Sequence, residues 1–99
     1  MKTVHKHPVP FGSSGLTLSL PAGYRLLKAE YLPYSKTVCS WVEVPTDPHL
    51  PKESVQLRLF NSGDGIPKAY VYVDTAINSL DQDAWHLYRL PLDTAAAVA

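Results

Sequence analysis

The feature that most restricts the fold of this chain is a repeated alternation of apolar and polar residues, interrupted by nine prolines. Residues 16–20 (Leu-Thr-Leu-Ser-Leu) show it most clearly, because their three leucines share one face of an extended segment. Proline lacks the N–H that helices and central strands require, so each one ends or borders a regular element. Short strands joined by turns are therefore predicted, and no helix of normal length is expected.

Five further segments repeat this pattern, and a sixth is limited to a sheet edge by Pro8 and Pro10. They are residues 24–32, 37–44, 54–60, 69–75, 84–90 and the edge segment 3–11. Adjacent Leu26 and Leu27 predict a bulge, and the NSGDGIP segment predicts a hairpin-type reversal. The fold class that follows is all-β, a small antiparallel sandwich or barrel of about six to seven short strands.

Length and composition place these strands in one domain. The chain has 99 residues, of which 45% are apolar and 18% charged, and its net charge is zero. We expect a single domain over residues 1–94 and a disordered tail over 95–99. Neutral charge disfavours long nucleic acid and anionic membranes as partners. A single cysteine and the lack of an apolar N-terminal segment predict a reduced, cytoplasmic location.

Side chains that commonly carry chemistry are scattered. His5 and His7 point to one side of an extended segment, as two metal ligands would, but solvated histidines near a terminus are commoner. Cys39 lies in a valine-rich strand, where a packing role is favoured over a nucleophile. Elsewhere in the sequence, no carboxylate pair, Ser/His/Asp order or metal-ligand spacing supports an enzyme. The sequence therefore predicts no enzyme, metal or cofactor.

One predicted sheet face is rich in aromatic and cationic side chains. If residues 55–60, 69–75 and 84–90 lie side by side, the surface opposite the Val and Leu core displays Arg58, Phe60, Tyr70, Tyr72, His86 and Tyr88. This composition is typical of a binding patch and can also stack a nucleotide base. Gly63, Asp64 and Gly65 would add backbone N–H groups from a neighbouring loop. The alternative is a second buried layer and a plain turn.

Charge is divided unequally along the chain. Residues 1–36 contain five Lys and Arg and one Glu, a net charge of +4, whereas residues 37–99 contain four basic and eight acidic residues, a net charge of −4. Such asymmetry suits a directed contact with a partner or a second copy. The alternative is that the two halves interleave and their fields cancel.

Five motifs together resemble a family of small uncharacterised proteins encoded by bacteriophages and prophages. They are KHPVPF, LPAGYRLL, CSWVEV, NSGDGIP and WHLYRL, and their order spans most of residues 5–90. The chain departs from the family pattern at Ser62, Asp64 and Gly65, where the family's loop carries a histidine. The resemblance implies phage origin, and it supplies no catalytic mechanism.

These observations predict a phage-encoded, non-enzymatic binding protein that forms a homo-oligomer in the bacterial cytoplasm. In the most concrete version it counters a host defence, either by binding a host defence protein complex or by sequestering a small nucleotide signal. A minor virion or assembly protein is the alternative, for which self-association is the whole function.

Overall fold

The structure, a computed structural model, describes residues 1–92. It contains seven strands in the described part of the chain and no helix. They are β1 (Lys2–Val9), β2 (Leu16–Pro21), β3 (Arg25–Leu32), β4 (Thr37–Pro45), β5 (Lys52–Asn61), β6 (Val71–Asn78) and β7 (Asp83–Leu92). The predicted tail, residues 95–99, lies outside the described residues.

The strands form two antiparallel sheets that pack face to face without closing into a barrel. Sheet A has the order β1-β4-β3, and sheet B has the order β2-β5-β7-β6. The all-β sandwich class is therefore confirmed. The predicted hairpin-type reversal at NSGDGIP is wrong in its pairing, because β7 inserts between β5 and β6. Local turn residues do not determine which strand occupies that central place.

The core lies between the sheets and follows from the alternation. Even-numbered β4 residues, including Val38 and Val42, point inward and are fully buried. Odd-numbered β5 residues, including Val55 and Leu57, face them from sheet B. Leu87 of β7 completes the central cluster. Because neighbouring side chains on a strand point to opposite faces, the outer face of each sheet carries the intervening residues.

The edges of the two sheets meet along a seam between β3 and β6. The β3 ladder shifts register between Leu26 and Lys28, which confirms the predicted bulge, and the β6 ladder shifts between Tyr72 and Asp74. Beyond the bulges, the Ala29 N–H donates a 2.8 Å hydrogen bond to the Asp74 carboxylate. This bond satisfies a backbone donor of an edge strand and ties the sheets together. On the other side of the bulges the seam stays open.

No helix in residues 1–92 has the length and apolar character needed to cross a membrane.

Candidate functional site

The six aromatic and cationic residues predicted to share a face do so, on the outer face of sheet B. Register places Arg58 beside Tyr88 and Phe60 beside His86, and Tyr72 pairs with Tyr88 from the far side. Tyr70, in the loop before β6, packs back over Phe60. We call this group the aromatic cluster: Arg58, Phe60, Tyr70, Tyr72, His86 and Tyr88.

Rings of the aromatic cluster pack on one another. The Phe60 ring is only 1% exposed, and its centroid lies 5.3 Å from that of Tyr70 and 5.4 Å from that of Tyr88, both nearly perpendicular. The Arg58 guanidinium lies 4.5 Å above the Phe60 ring centroid. Edge-to-face contacts and cation-π stacking occupy the ring faces that a base would need. Tyr72, which is 53% exposed, keeps the most accessible ring of the cluster.

Polar ends of the aromatic cluster are bonded within the protein. The Tyr70 hydroxyl donates to Gln56 Oε1 at 2.8 Å. Thr75 Oγ1 lies 3.0 Å from His86 Nδ1 and 2.8 Å from the Tyr72 hydroxyl. Arg58 Nε is the exception, since it is buried and has no partner among residues 1–92. Most of this face therefore forms a second packed layer.

The glycine loop beside the cluster is a tight turn. The Asp64 N–H donates to the Asn61 carbonyl at 3.1 Å, and the Asp64 carboxylate accepts from the Asn61 N–H at 2.9 Å. Gly63 has φ +91°, which L residues rarely adopt, while Gly65 is exposed beyond it. Ser62 Oγ lies 2.9 Å from His86 Nε2 and joins the turn to the cluster. Asp64 thus has an internal partner and places a negative charge where a phosphate would bind.

A different site lies at the open part of the seam, and we call it the seam cleft. It has a volume of about 470 Å³, within the range of small-molecule sites. Both bulges border it, as bulges often do near functional sites. Its lining residues are Gly23, Tyr24, Arg25, Leu26, Glu53, Tyr72, Val73 and Arg89.

The seam cleft has two arginines without acidic partners. Arg25 comes from β3 in sheet A and Arg89 from β7 in sheet B. Among residues 1–92, no carboxylate lies within 4.0 Å of either guanidinium. Arg89 shares the inward face of β7 with Leu87, and its cross-strand neighbour Leu57 is fully buried. Arg89 is half-buried, so part of its hydration is lost without an acidic partner to offset the loss.

No local sequence pattern predicts this cleft as a whole. Arg89, Glu53 and Tyr24 were not predicted as site residues, although one pattern marks Arg89. Trp85 and Leu87 alternate on the inner face of β7, so Arg89 continues that inward row with a charge. Glu53 and Tyr24 have no comparable pattern, because only the pairing of distant strands brings them to one place.

The remaining sequence candidates have ordinary surroundings. Cys39 is buried, which confirms the predicted burial of its thiol. The His5 and His7 rings are stacked with centroids 6.2 Å apart, on one side of β1. Within residues 1–92, no group of three His, Cys, Asp or Glu side chains has the arrangement of a metal site. Burial, and to a lesser degree the neighbouring His5 charge, lowers the pKa of His7 from 6.5.

The fold and the cleft together define a small antiparallel β-sandwich with a charged cleft between its sheets. The chain belongs to the family described as a domain of unknown function, DUF7352, whose model matches residues 1–97. No curated protein and no solved structure matches the chain significantly.

Proposed function

We propose that this protein binds and sequesters a small phosphorylated ligand of nucleotide size in the seam cleft, without catalysing a reaction. The observation that carries the proposal is the inward position of Arg89 without an acidic partner among the described residues. Arg89 is half-buried, so its charge is partly removed from water and a bound anion would compensate it. Phosphate and carboxylate are the anions that guanidinium groups bind with bidentate geometry.

The two arginines reach the seam cleft from different sheets. Arg89 lies on the inward face of β7, and Arg25, paired with Glu43, stands at the outer rim on β3. Arg25 belongs to sheet A and Arg89 to sheet B, so an anion between them would contact both sheets. Each guanidinium offers parallel N–H donors that match two phosphate oxygens. A ligand bound there would therefore stabilise the contact between the two sheets.

The remaining lining suits the other parts of a nucleotide. The Glu53 carboxylate is an acceptor for sugar hydroxyls or an exocyclic amine. Tyr72, which is 53% exposed, lies where the aromatic cluster meets the rim of the cleft. A base stacked on one tyrosine gains about 1–3 kcal/mol. The Tyr72 hydroxyl is held by Thr75, so the ring is already oriented.

The biological role in this proposal comes from the resemblance to bacteriophage proteins. A phage-encoded chain that binds a nucleotide signal in the host cytoplasm would lower its free concentration and blunt the defence that depends on it. Binding to a host defence protein complex, and a place in the virion, stay predictions.

Calorimetric titration tests the proposal with AMP, ADP, ribose 5-phosphate and adenosine as probes. We expect the phosphorylated compounds to bind and adenosine to bind more weakly. Arg89→Gln should weaken ADP binding at least about tenfold, because one charged contact is lost. Lys68→Gln removes the same charge from the exposed loop before β6 and should change the affinity less than about twofold.

Two results contradict the proposal. One is equal ADP affinity of the Arg89→Gln variant and the wild-type chain. The other is the absence of binding by all phosphorylated probes at millimolar concentration. In a separate experiment, native mass spectrometry of the protein purified from bacterial cells would identify a retained ligand by its added mass.

A further inference from the structure

We propose that the outer face of sheet A is a docking surface for a second copy of this chain, which inserts its β6–β7 turn. This surface shares only Arg25 with the seam cleft. The proposed interaction rests on three observations: a basic face with an aromatic centre, an acidic turn with an apolar tip, and the rigidity of that turn. Together they describe a head-to-tail contact between copies.

The outer face of sheet A collects the positive charge of the N-terminal part of the chain. Register pairs Lys6 and Lys28 with Trp41 from its two sides, and Arg25 with Glu43. Because odd-numbered β4 residues point away from the core, all of these side chains share the outer face. We call it the basic face, and its charged members are Lys2, Lys6, Arg25, Lys28, Glu30 and Glu43.

Charge on the basic face is incompletely neutralised. Lys2 lies 3.4 Å from Glu43, and Lys28 lies 3.6 Å from Glu30. Lys6 has no acidic partner within 4.0 Å among residues 1–92. The two exposed pairs contribute little to folding and exchange easily for an incoming carboxylate. Most of the positive charge of residues 1–36 therefore lies on one face of the molecule.

The centre of the basic face is apolar. Trp41 is half-buried in the middle of the central strand, and Val4 and Leu27 beside it are 51% and 41% exposed. An aromatic centre with a charged rim is the usual anatomy of a protein interface. A single tryptophan does not provide the series of stacking platforms that single-stranded nucleic acid requires. A protein segment with apolar and acidic residues therefore fits the face better.

The chain itself contains such a segment between β6 and β7. Asp81 lies in this turn and Asp83 begins β7, and Leu80 at the tip of the turn is 84% exposed. Asn78 is buried and braces the turn from within. Its amide donates to Asp81 Oδ2 at 3.1 Å, and its Oδ1 accepts from the Leu80 N–H at 3.2 Å. A braced turn loses little entropy on docking, which favours association.

Complementarity determines the geometry of the contact. The two aspartates would approach Lys6 and Lys28, and Leu80 would cover Trp41 between them. Because the face and the turn are different surfaces, the contact is heterologous, and repeated copies form rings or open chains. An assembly role, the alternative considered for this protein, requires this property.

Sedimentation velocity over a range of protein and salt concentrations tests the interface. Lys6→Glu/Lys28→Glu reverses the face, Asp81→Lys/Asp83→Lys reverses the turn, and Arg25 is left unchanged because it also lines the cleft. Each double variant should remain monomeric where the wild-type chain associates. An equimolar mixture of the two should associate again, because each supplies the charge that the other has lost.

Matched controls exclude general charge effects. Lys52→Glu/Lys68→Glu carries the same charge change away from the face and should associate like the wild type. Leu80→Ser should weaken association at every salt concentration. The proposal is overturned if the wild-type chain stays monomeric up to about 1 mM, the weak end of specific association. It is also overturned if the mixture fails to associate, and an acidic protein from the host would then be the better occupant.

Discussion

The aromatic cluster and the seam cleft are built from the same side chains, tyrosine and arginine, in opposite states. In the cluster, rings cover one another and most polar atoms have internal partners. In the cleft, Arg25 and Arg89 lack acidic partners among the described residues. Composition alone does not distinguish a binding patch from a packed layer. The surroundings of the arginines do. Arg58 stacks on the Phe60 ring, whereas neither cleft arginine stacks on a ring or lies within 4.0 Å of a carboxylate among the described residues.

The largest expected effect on stability is at Phe60. Phe60→Ala removes the ring on which Arg58, Tyr70 and Tyr88 pack, and we expect a loss of about 3–5 kcal/mol in the free energy of unfolding. Urea denaturation measures it. Tyr72→Ala, at the exposed margin of the same cluster, should cost less than half as much. A loss below about 1 kcal/mol for Phe60→Ala would show that the cluster is a loose surface patch.

Asp74 joins the two sheets beside the cleft, so its substitution tests how the seam is held. Asp74→Ala leaves the Ala29 and Thr75 N–H groups without their carboxylate, which should cost about 1–3 kcal/mol. Hydrogen exchange at the Ala29 amide should accelerate. Asp74→Asn retains one acceptor oxygen but turns its NH2 group towards the second N–H donor, so it should recover only part of the stability. Unchanged exchange in Asp74→Ala would mean that the seam is held elsewhere.

Tyr70 tests whether the hydroxyl groups of the cluster are structural. Tyr70→Phe deletes the bond to Gln56 and should lower the free energy of unfolding by about 0.5–1.5 kcal/mol. The affinity for ADP should stay unchanged, because Tyr70 does not line the cleft. Gln56→Ala combined with Tyr70→Phe should cost less than the sum of the two single variants. A changed affinity for ADP would place Tyr70 in the binding site.

Unlike the cluster residues, Arg89 should not contribute to the stability of the ligand-free protein. Arg89→Met replaces an inward cation by an apolar chain of similar length, and stability should stay the same or rise by up to about 1 kcal/mol. Thermal unfolding of the ligand-free protein measures it. Arg58→Met in the cluster is the matched comparison, and it should lower stability because stacking on Phe60 is lost. Equal losses in both variants would remove the distinction between the two regions.

The smallest expected effect is a pH dependence that belongs to neither region. Burial lowers the pKa of His7 in the folded state, so below pH 6.5 the unfolded chain binds more protons. The free energy of unfolding should therefore fall as pH decreases through 6.5 and level off below the folded-state pKa. His7→Gln should flatten this part of the profile, and His49→Gln in an exposed loop should not. Ligand titrations are best compared above pH 7 for this reason.

Local patterns in the sequence predicted most of the strands. Residues 16–20, 37–44 and 84–90 appear as β2, β4 and β7, and the bulge beside Leu26 is present. Alternation also placed Arg58, Phe60, Tyr70, Tyr72, His86 and Tyr88 on one face. Alternation does not show what covers a face. Only the position of the Tyr70 ring in the folded chain shows that Phe60 is packed within the protein.

By itself the sequence determined the all-β class, the turns at Gly23 and Gly63, and which side chains share each face, because these depend on backbone geometry over a few residues. Only the tertiary structure decided that β7 lies between β5 and β6 and that β3 meets β6. The seam cleft follows from that pairing, since Arg25 and Arg89 are 64 positions apart in the chain. Strand order depends on the combined burial of distant residues, which no local pattern contains.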